Sequence, residues 1–103
     1  MVSQLRVFTI HTGSMDDFVK AWSAGVVPLR RRHGFTIDGA WVVKERHEFV
    51  WILSYDGPDD WESKEAAYYA SAERAALHPN PAQYIAKAEK WFITPVLPRQ
   101  GAH

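Results

Sequence analysis

No cysteine occurs among the 103 residues. That excludes a disulfide framework, a thiolate zinc site and a cysteine nucleophile, and it fits a reducing compartment. Net charge is missing as well, since 12 Lys and Arg balance 12 Asp and Glu. With a sequence pI near 7.0 and no basic block, the chain lacks the positive footprint of a nucleic-acid binder. No apolar run approaches the ~20 residues that span a bilayer, and the opening residues MVSQLRVFT lack a charged segment followed by an apolar stretch. The expectation is a cytoplasmic protein that partners neither membrane nor nucleic acid. There is no glycine-rich phosphate loop, no nucleophile elbow and no histidine pair at metal-ligand spacing. No metal and no cofactor is therefore called for. Haem would need one of the five histidines alone, which the sequence leaves open.

What the chain does have is aromatic side chains: 14% of residues, five of them tryptophan. At this length one domain is expected, 1–103 with a core of about 5–97, because a second core would have too little surface to bury. Aromatic residues at this density suggest an oversized core, an adhesive interface or an aromatic-lined pocket.

The pattern along the chain predicts four strands and two main helices. Leu5 to His11 is β-branched and aromatic, and is bounded by Gly13. Ser14 is placed to cap a helix whose first turn carries Asp16 and Asp17. Met15, Phe18, Val19, Trp22, Val26 and Leu29 then form one apolar stripe. Pro28 is expected to bend that helix, and Gly34 to end it in a left-handed conformation. Phe35 to Val43 and Glu48 to Tyr55 read as a hairpin joined at Lys44-Glu45-Arg46-His47. A second helix is expected from Gly57-Pro58 to about Ala76, with proline at its first position. His78-Pro79-Asn80-Pro81 breaks it, and Asn80 caps a short third helix to about Glu89. Trp91 to Val96 is expected as the last strand, and Pro98 to His103 as a frayed tail.

The order β-α-β-β-α-(α)-β is the split βαβ, ferredoxin-like pattern of an α+β protein: a four-stranded antiparallel sheet with both main helices on one face. Alternation puts Phe49, Trp51, Leu53 and Tyr55 on one face of the third strand, opposite Val50 and Ile52. In the second strand Phe35, Ile37, Trp41 and Val43 are expected to oppose Ala40 and Val42, and in the first Leu5 and Val7 oppose Phe8 and Ile10. Both faces are apolar and helices cover only one. A soluble monomer does not leave several hundred square ångströms of apolar sheet bare, so homodimerisation through the sheet is expected.

The segments RRRHGF, GAW with FVWILSYDG, DDWESKEAAYYASAER and HPNPAQYI resemble the bacterial NIPSNAP-type proteins of the dimeric α+β barrel superfamily, over roughly residues 5–97. The resemblance implies a ferredoxin-like protomer paired through its sheet into a barrel. It brings no catalytic residues, because the family has no agreed reaction. Superfamily relatives include cofactor-free quinone-forming monooxygenases, haem-degrading enzymes, lactone isomerases and polyketide cyclases, an analogy of fold alone.

Glu65 is the residue the pattern singles out. Relative to Trp61 it lies about 40° around the helix, close to Tyr68 and Ala72, on the apolar face. A carboxylate lowered into an apolar pocket has a raised pKa and serves as general acid or base. The plainer reading is a glutamate at the stripe's edge, its head in water or on a tyrosine hydroxyl. His11 ends the first strand, where proton transfer competes with a capping or surface role. Trp41, Trp51, Tyr68 and Tyr69 are candidate ligand contacts for a small aromatic or hydrophobic molecule, each with core or interface packing as the alternative. Arg74 is expected to face solvent. The basic run Arg30-Arg31-Arg32 before His33 is accounted for by the negative end of the helix dipole. Two uses remain open: a small-molecule binder or cofactor-independent enzyme, and a non-catalytic dimeric interaction module whose pocket is filled by its own side chains.

Overall fold

The structure, a computed structural model, describes residues 1–97; the tail from Pro98 lies outside them. β1 (Val2–Ile10) leads to α1 (Met15–Ala21), a π-helical turn at Trp22–Val26 and α2 (Val27–Arg32). β2 (Phe35–Val43) and β3 (Glu48–Tyr55) form a hairpin around a 3-10 turn at Lys44–Arg46. α3 (Trp61–Ala70), α4 (Ala72–Ala75) and a 3-10 turn at Pro81–Tyr84 precede β4 (Ile85–Ile93). The four strands make one antiparallel sheet in the order β2-β3-β1-β4. This is the expected α+β, ferredoxin-like architecture.

Several local expectations are corrected. Pro28 does not break the first helical run; the chain stays helical from Met15 to Arg32 and widens into the π turn just before the proline. An extra residue per turn removes the need for the hydrogen bond that proline cannot donate. Ser14 makes no side-chain cap; instead its carbonyl accepts the Phe18 amide at 2.9 Å. The second long helix starts at Trp61, not at Pro58, because the Asp60 carboxylate accepts the Ser63 amide and closes the helix end there. That helix also breaks at Ser71, whose ψ of 146° is extended and whose hydroxyl caps the next turn through the Arg74 amide. Asn80 does act as a cap, accepting from the Ala82 amide. The element it caps is only a 3-10 turn, and β4 begins six residues before the expected Trp91. Its opening residues Ile85-Ala86-Lys87-Ala88-Glu89 favour helix locally, and pairing with the edge of β1 overrides them.

The helices cover the face bearing Phe8, Ile10, Phe49, Trp51, Leu53 and Tyr55, against which Phe18, Trp22, Val26, Leu29, Trp61 and Tyr68 pack. Phe35 lies on the same face, but the register shifts between Ile37 and Gly39. The bulge at Asp38 reverses the alternation expected for the rest of β2. Ala40 and Val42 now stand beside Trp51 and Phe49, while Trp41 and Val43 pair with Val50 and Glu48 on the opposite face. The Trp41 indole lies across Gly39, where an added Cβ would come within 2.5 Å of the ring.

The opposite face carries no helix. Leu5 and Val7, Val50 and Ile52, Trp41, Trp91 and Ile93 share it by register, and Trp41 and Trp91 are 53% and 49% exposed. Three tryptophans thus serve the core and two the open sheet.

Leu53, on a central strand and 0% exposed, tests the packing. Leu53→Ala is expected to lower unfolding free energy by about 2–5 kcal/mol, measured by chemical denaturation, through lost burial and an unfilled cavity.

Candidate functional site

Two arginines are buried where hydrophobic residues would be expected. Arg6 occupies an inward position of β1, two residues before Phe8, and Arg30 occupies the core side of α2; each is 1% exposed. Burying two guanidinium groups is tolerable only if they are paired. Glu65, on α3, supplies the charge: its Oε2 accepts from Arg6 Nη2 at 2.7 Å and its Oε1 accepts from Arg30 Nη1. Gln4 Oε1 accepts from Arg6 Nε at 2.8 Å, and the Tyr69 hydroxyl accepts from both arginines at 3.4 Å. Arg30 also lies 3.7 Å above the Tyr68 ring and 4.7 Å from that of Phe35, a cation–π arrangement.

The Glu65 carboxyl therefore departs from expectation. Burial pushes its pKa up, but the hydrogen bonds and charges of Arg30 and Arg6 outweigh burial and hold it below its ordinary value near 4.5. It is an ionised partner of two cations, not a carboxyl poised to accept a proton near neutrality. Burial raises the pKa of the Tyr68 hydroxyl, which keeps it a neutral phenol.

Beside this triad lies a cavity of about 180 Å³ between sheet and helices, lined by residues of every element except β2 and its hairpin turn. Arg6, Phe8 and Trp51 come from the sheet, Phe18, Trp22, Val26 and Arg30 from the first helical run, and Tyr68, Tyr69 and Arg74 from the second. Pro81 and Ala82 from the 3-10 turn and Ile85, Ala88 and Lys90 from β4 complete its lining. The π turn supplies both Trp22 and Val26, and such turns recur at functional sites.

Among the described residues five buried side-chain polar atoms have no hydrogen-bond partner: Trp22 Nε1, Trp51 Nε1, Arg30 Nε, Arg74 Nε and the Tyr68 hydroxyl. All five belong to residues that line this cavity. A groove of about 460 Å³ between Asp17–Gly25 and Ala76–Tyr84, and a depression of about 640 Å³ around Met15, Val42 and His47, are wider. Neither touches any of the five, so the smaller cavity is the candidate site.

Of the residues singled out from sequence, Glu65, Trp51, Tyr68 and Tyr69 are brought together here. Trp41 is not, because the Asp38 bulge turns it to the open face. His11 is exposed at the end of β1, its backbone amide bonded to the Tyr84 carbonyl at 2.9 Å, and it does not line the cavity. Arg74, expected in solvent, is half-buried and lines the cavity, because the break at Ser71 changes the helix phase on which that expectation rested. Arg6 and Arg30 were missed. The signal was present: Arg6 falls on the inward alternation of β1, and Arg30 lies four residues after Val26 on the apolar stripe. No group of three or more metal-ligating side chains comes together among the described residues, and no helix among them is long and apolar enough to cross a membrane.

Sheet order and helix placement define a ferredoxin-like α+β protomer with a cavity between sheet and helices. The chain belongs to the NIPSNAP family, whose sequence profile matches residues 3–97. It is similar in fold to an uncharacterised NIPSNAP domain protein from Burkholderia xenovorans, with TM-score 0.82 and 18% identity, covering 96% of this chain and 100% of that one. A NIPSNAP family protein from Agrobacterium tumefaciens superposes with TM-score 0.79 at 16% identity, covering 91% of each chain. A candidate antibiotic biosynthesis monooxygenase from Nitrosomonas europaea superposes at TM-score 0.68 and 14% identity, covering 94% of this chain and 100% of that one. No curated protein sequence matches the chain at a significant level.

The triad makes stability depend on pH. Glu65 titrates lower in the folded chain than in the unfolded one, so its stabilisation is complete above about pH 4.5 and is lost as pH falls through the folded value. Glu65→Gln leaves two buried guanidinium groups without a counter-charge. It is expected to cost toward the lower end of roughly 3–5 kcal/mol at pH 7, and to flatten the acid limb of a thermal-midpoint profile.

Proposed function

We propose that this protein is a homodimer that binds a small organic molecule in the cavity between its sheet and helices. One observation carries the binding reading: all five unpartnered buried polar atoms of the described residues sit on side chains of residues that line one cavity. Native proteins rarely leave such atoms unmatched, and their concentration around one cavity supports a ligand or ordered water there. At about 180 Å³ the cavity is smaller than the 300 Å³ or so of a drug-sized site. It suits a single-ring molecule, since about 150 Å³ of apolar cavity accommodates benzene.

In this reading Trp51, Tyr68 and Tyr69 contact the ligand. Glu65 is a positioning residue: it fixes the Arg6 and Arg30 side chains against the sheet and moves no proton. Neither a carboxylate nor a histidine is among the lining residues, which favours binding over a reaction begun by proton abstraction. A cytoplasmic setting is consistent with a chain that carries no cysteine.

The dimer is supported by the open sheet face, where Trp41 and Trp91 stand half exposed beside Leu5, Val7, Val50 and Ile52. Burying that face against its copy removes it from water. Folding and association are then coupled, and the thermal midpoint rises with protein concentration. Ile52→Asp, which sets a charge in the middle of the face, is expected to give a monomer or an unfolded chain in sedimentation.

The ligand itself is sought by native mass spectrometry of protein purified from its source. The expected result is a small-molecule adduct on the wild-type chain that is missing from Ala88→Leu, which narrows the cavity from β4. Wild-type protein without any adduct, together with a higher thermal midpoint for Ala88→Leu, would instead indicate a cavity that serves no ligand.

A further inference from the structure

The atoms left unpartnered are not a random sample of polar groups. Four of the five are indole or guanidinium nitrogens, which can only donate hydrogen bonds. Lys90, a donor of the same kind, also lines the cavity. An occupant placed among these side chains meets mostly donors and is favoured if it brings acceptors. The charges point the same way. Arg6, Arg30, Arg74 and Lys90 line the cavity and no carboxylate does. Glu65 answers Arg6 and Arg30 from behind. Among the described residues the Arg74 guanidinium donates only to the Asn80 side chain, at 3.4 Å, and lies 5.5 Å from the Tyr69 ring centroid. Neither Arg74 nor Lys90 is in an ion pair among the described residues. In a chain of zero net charge, that is a local surplus of cation facing an otherwise apolar space.

We propose that the cavity is a carboxylate site, taking a single-ring or similarly compact organic acid. Its ionised head lies toward Arg74 and the solvent-open Lys90, and its apolar body lies against Phe8, Phe18 and Val26. An ionised carboxylate is acceptor-only, as this lining requires, and its charge-assisted hydrogen bonds to guanidinium and ammonium are about twice as strong as neutral ones. A neutral amide of the same shape brings donors of its own into a donor-lined space. The inference rests on the cavity being a ligand site and adds the ligand's charge and size.

The test titrates the whole protein with benzoate and with benzamide at pH 7, following tryptophan fluorescence and calorimetry. Benzoate is expected to bind at least about tenfold more tightly than benzamide. Arg74→Met and Lys90→Met should each weaken benzoate binding several-fold more than benzamide binding, and so erase most of that preference. Equal binding of the two probes, or a benzoate preference that survives both cation substitutions, would overturn the carboxylate assignment and leave the cavity as a ligand site. Binding of neither probe up to millimolar concentration, with Ala88→Leu more stable than wild type, would overturn the cavity reading together with it.

Discussion

Two guanidinium groups and one carboxylate, all withdrawn from bulk water, tie together the three layers of this protein. Arg6 enters from the sheet, Arg30 from the first helical run and Glu65 from the second. Charges in such surroundings cost more in lost hydration than they return unless their geometry and remaining hydrogen bonds are nearly complete. Here Gln4, Tyr69 and the rings of Tyr68 and Phe35 supply further contacts, although Arg30 Nε stays without a hydrogen-bond partner. An apolar trio of the same volume would hold the layers together at least as well. Stability alone therefore does not explain the triad, which also holds Arg6 and Arg30 in place at the edge of the cavity.

The sheet divides the molecule's work between its two faces. One face carries the core and the cavity; the other carries an uncovered apolar surface. The Asp38 bulge governs that division. By adding one residue to β2 it lets Phe35 and Ile37 pack under the helices and then turns Trp41 outward beside Val50. Asp38 accepts from the Ser54 hydroxyl at 2.6 Å, and Ser54 in turn meets Ser3 at 2.7 Å. The bulge is thus anchored across three strands. Without it Trp41 would have been directed toward the cavity side, and the open face would lose one of its two tryptophans.

Breaks in the helices do comparable work. The π turn at Trp22–Val26 carries the first helical run past Pro28 without interruption and presents both Trp22 and Val26 to the cavity. Ser71, by stopping one helix and capping the next, swings Arg74 from the solvent side to the cavity. In both places a local departure from regular helix places a side chain that the ideal wheel would have put elsewhere.

Strand and helix order, the antiparallel sheet and the family were legible in the residues themselves, because period-two and period-3.6 apolar patterns and turn signals act over a few neighbours. The face taken by Trp51 was left open by the hairpin pattern, but the grouping of Glu65, Tyr68 and Tyr69 along one side of a helix was legible. The start of β4 was not, because its local preference is helical and only the free edge of β1 makes it a strand. Nor was the side chosen by Trp41, since one bulged residue, invisible in the pattern, inverts every alternation after it. The ionisation of Glu65 was decided by tertiary structure alone. A wheel shows that a carboxylate faces inward, but the sign of its pKa shift depends on what waits there. Arg6 stands 59 residues away in sequence and Arg30 stands 35 away, and only the folded chain brings them together.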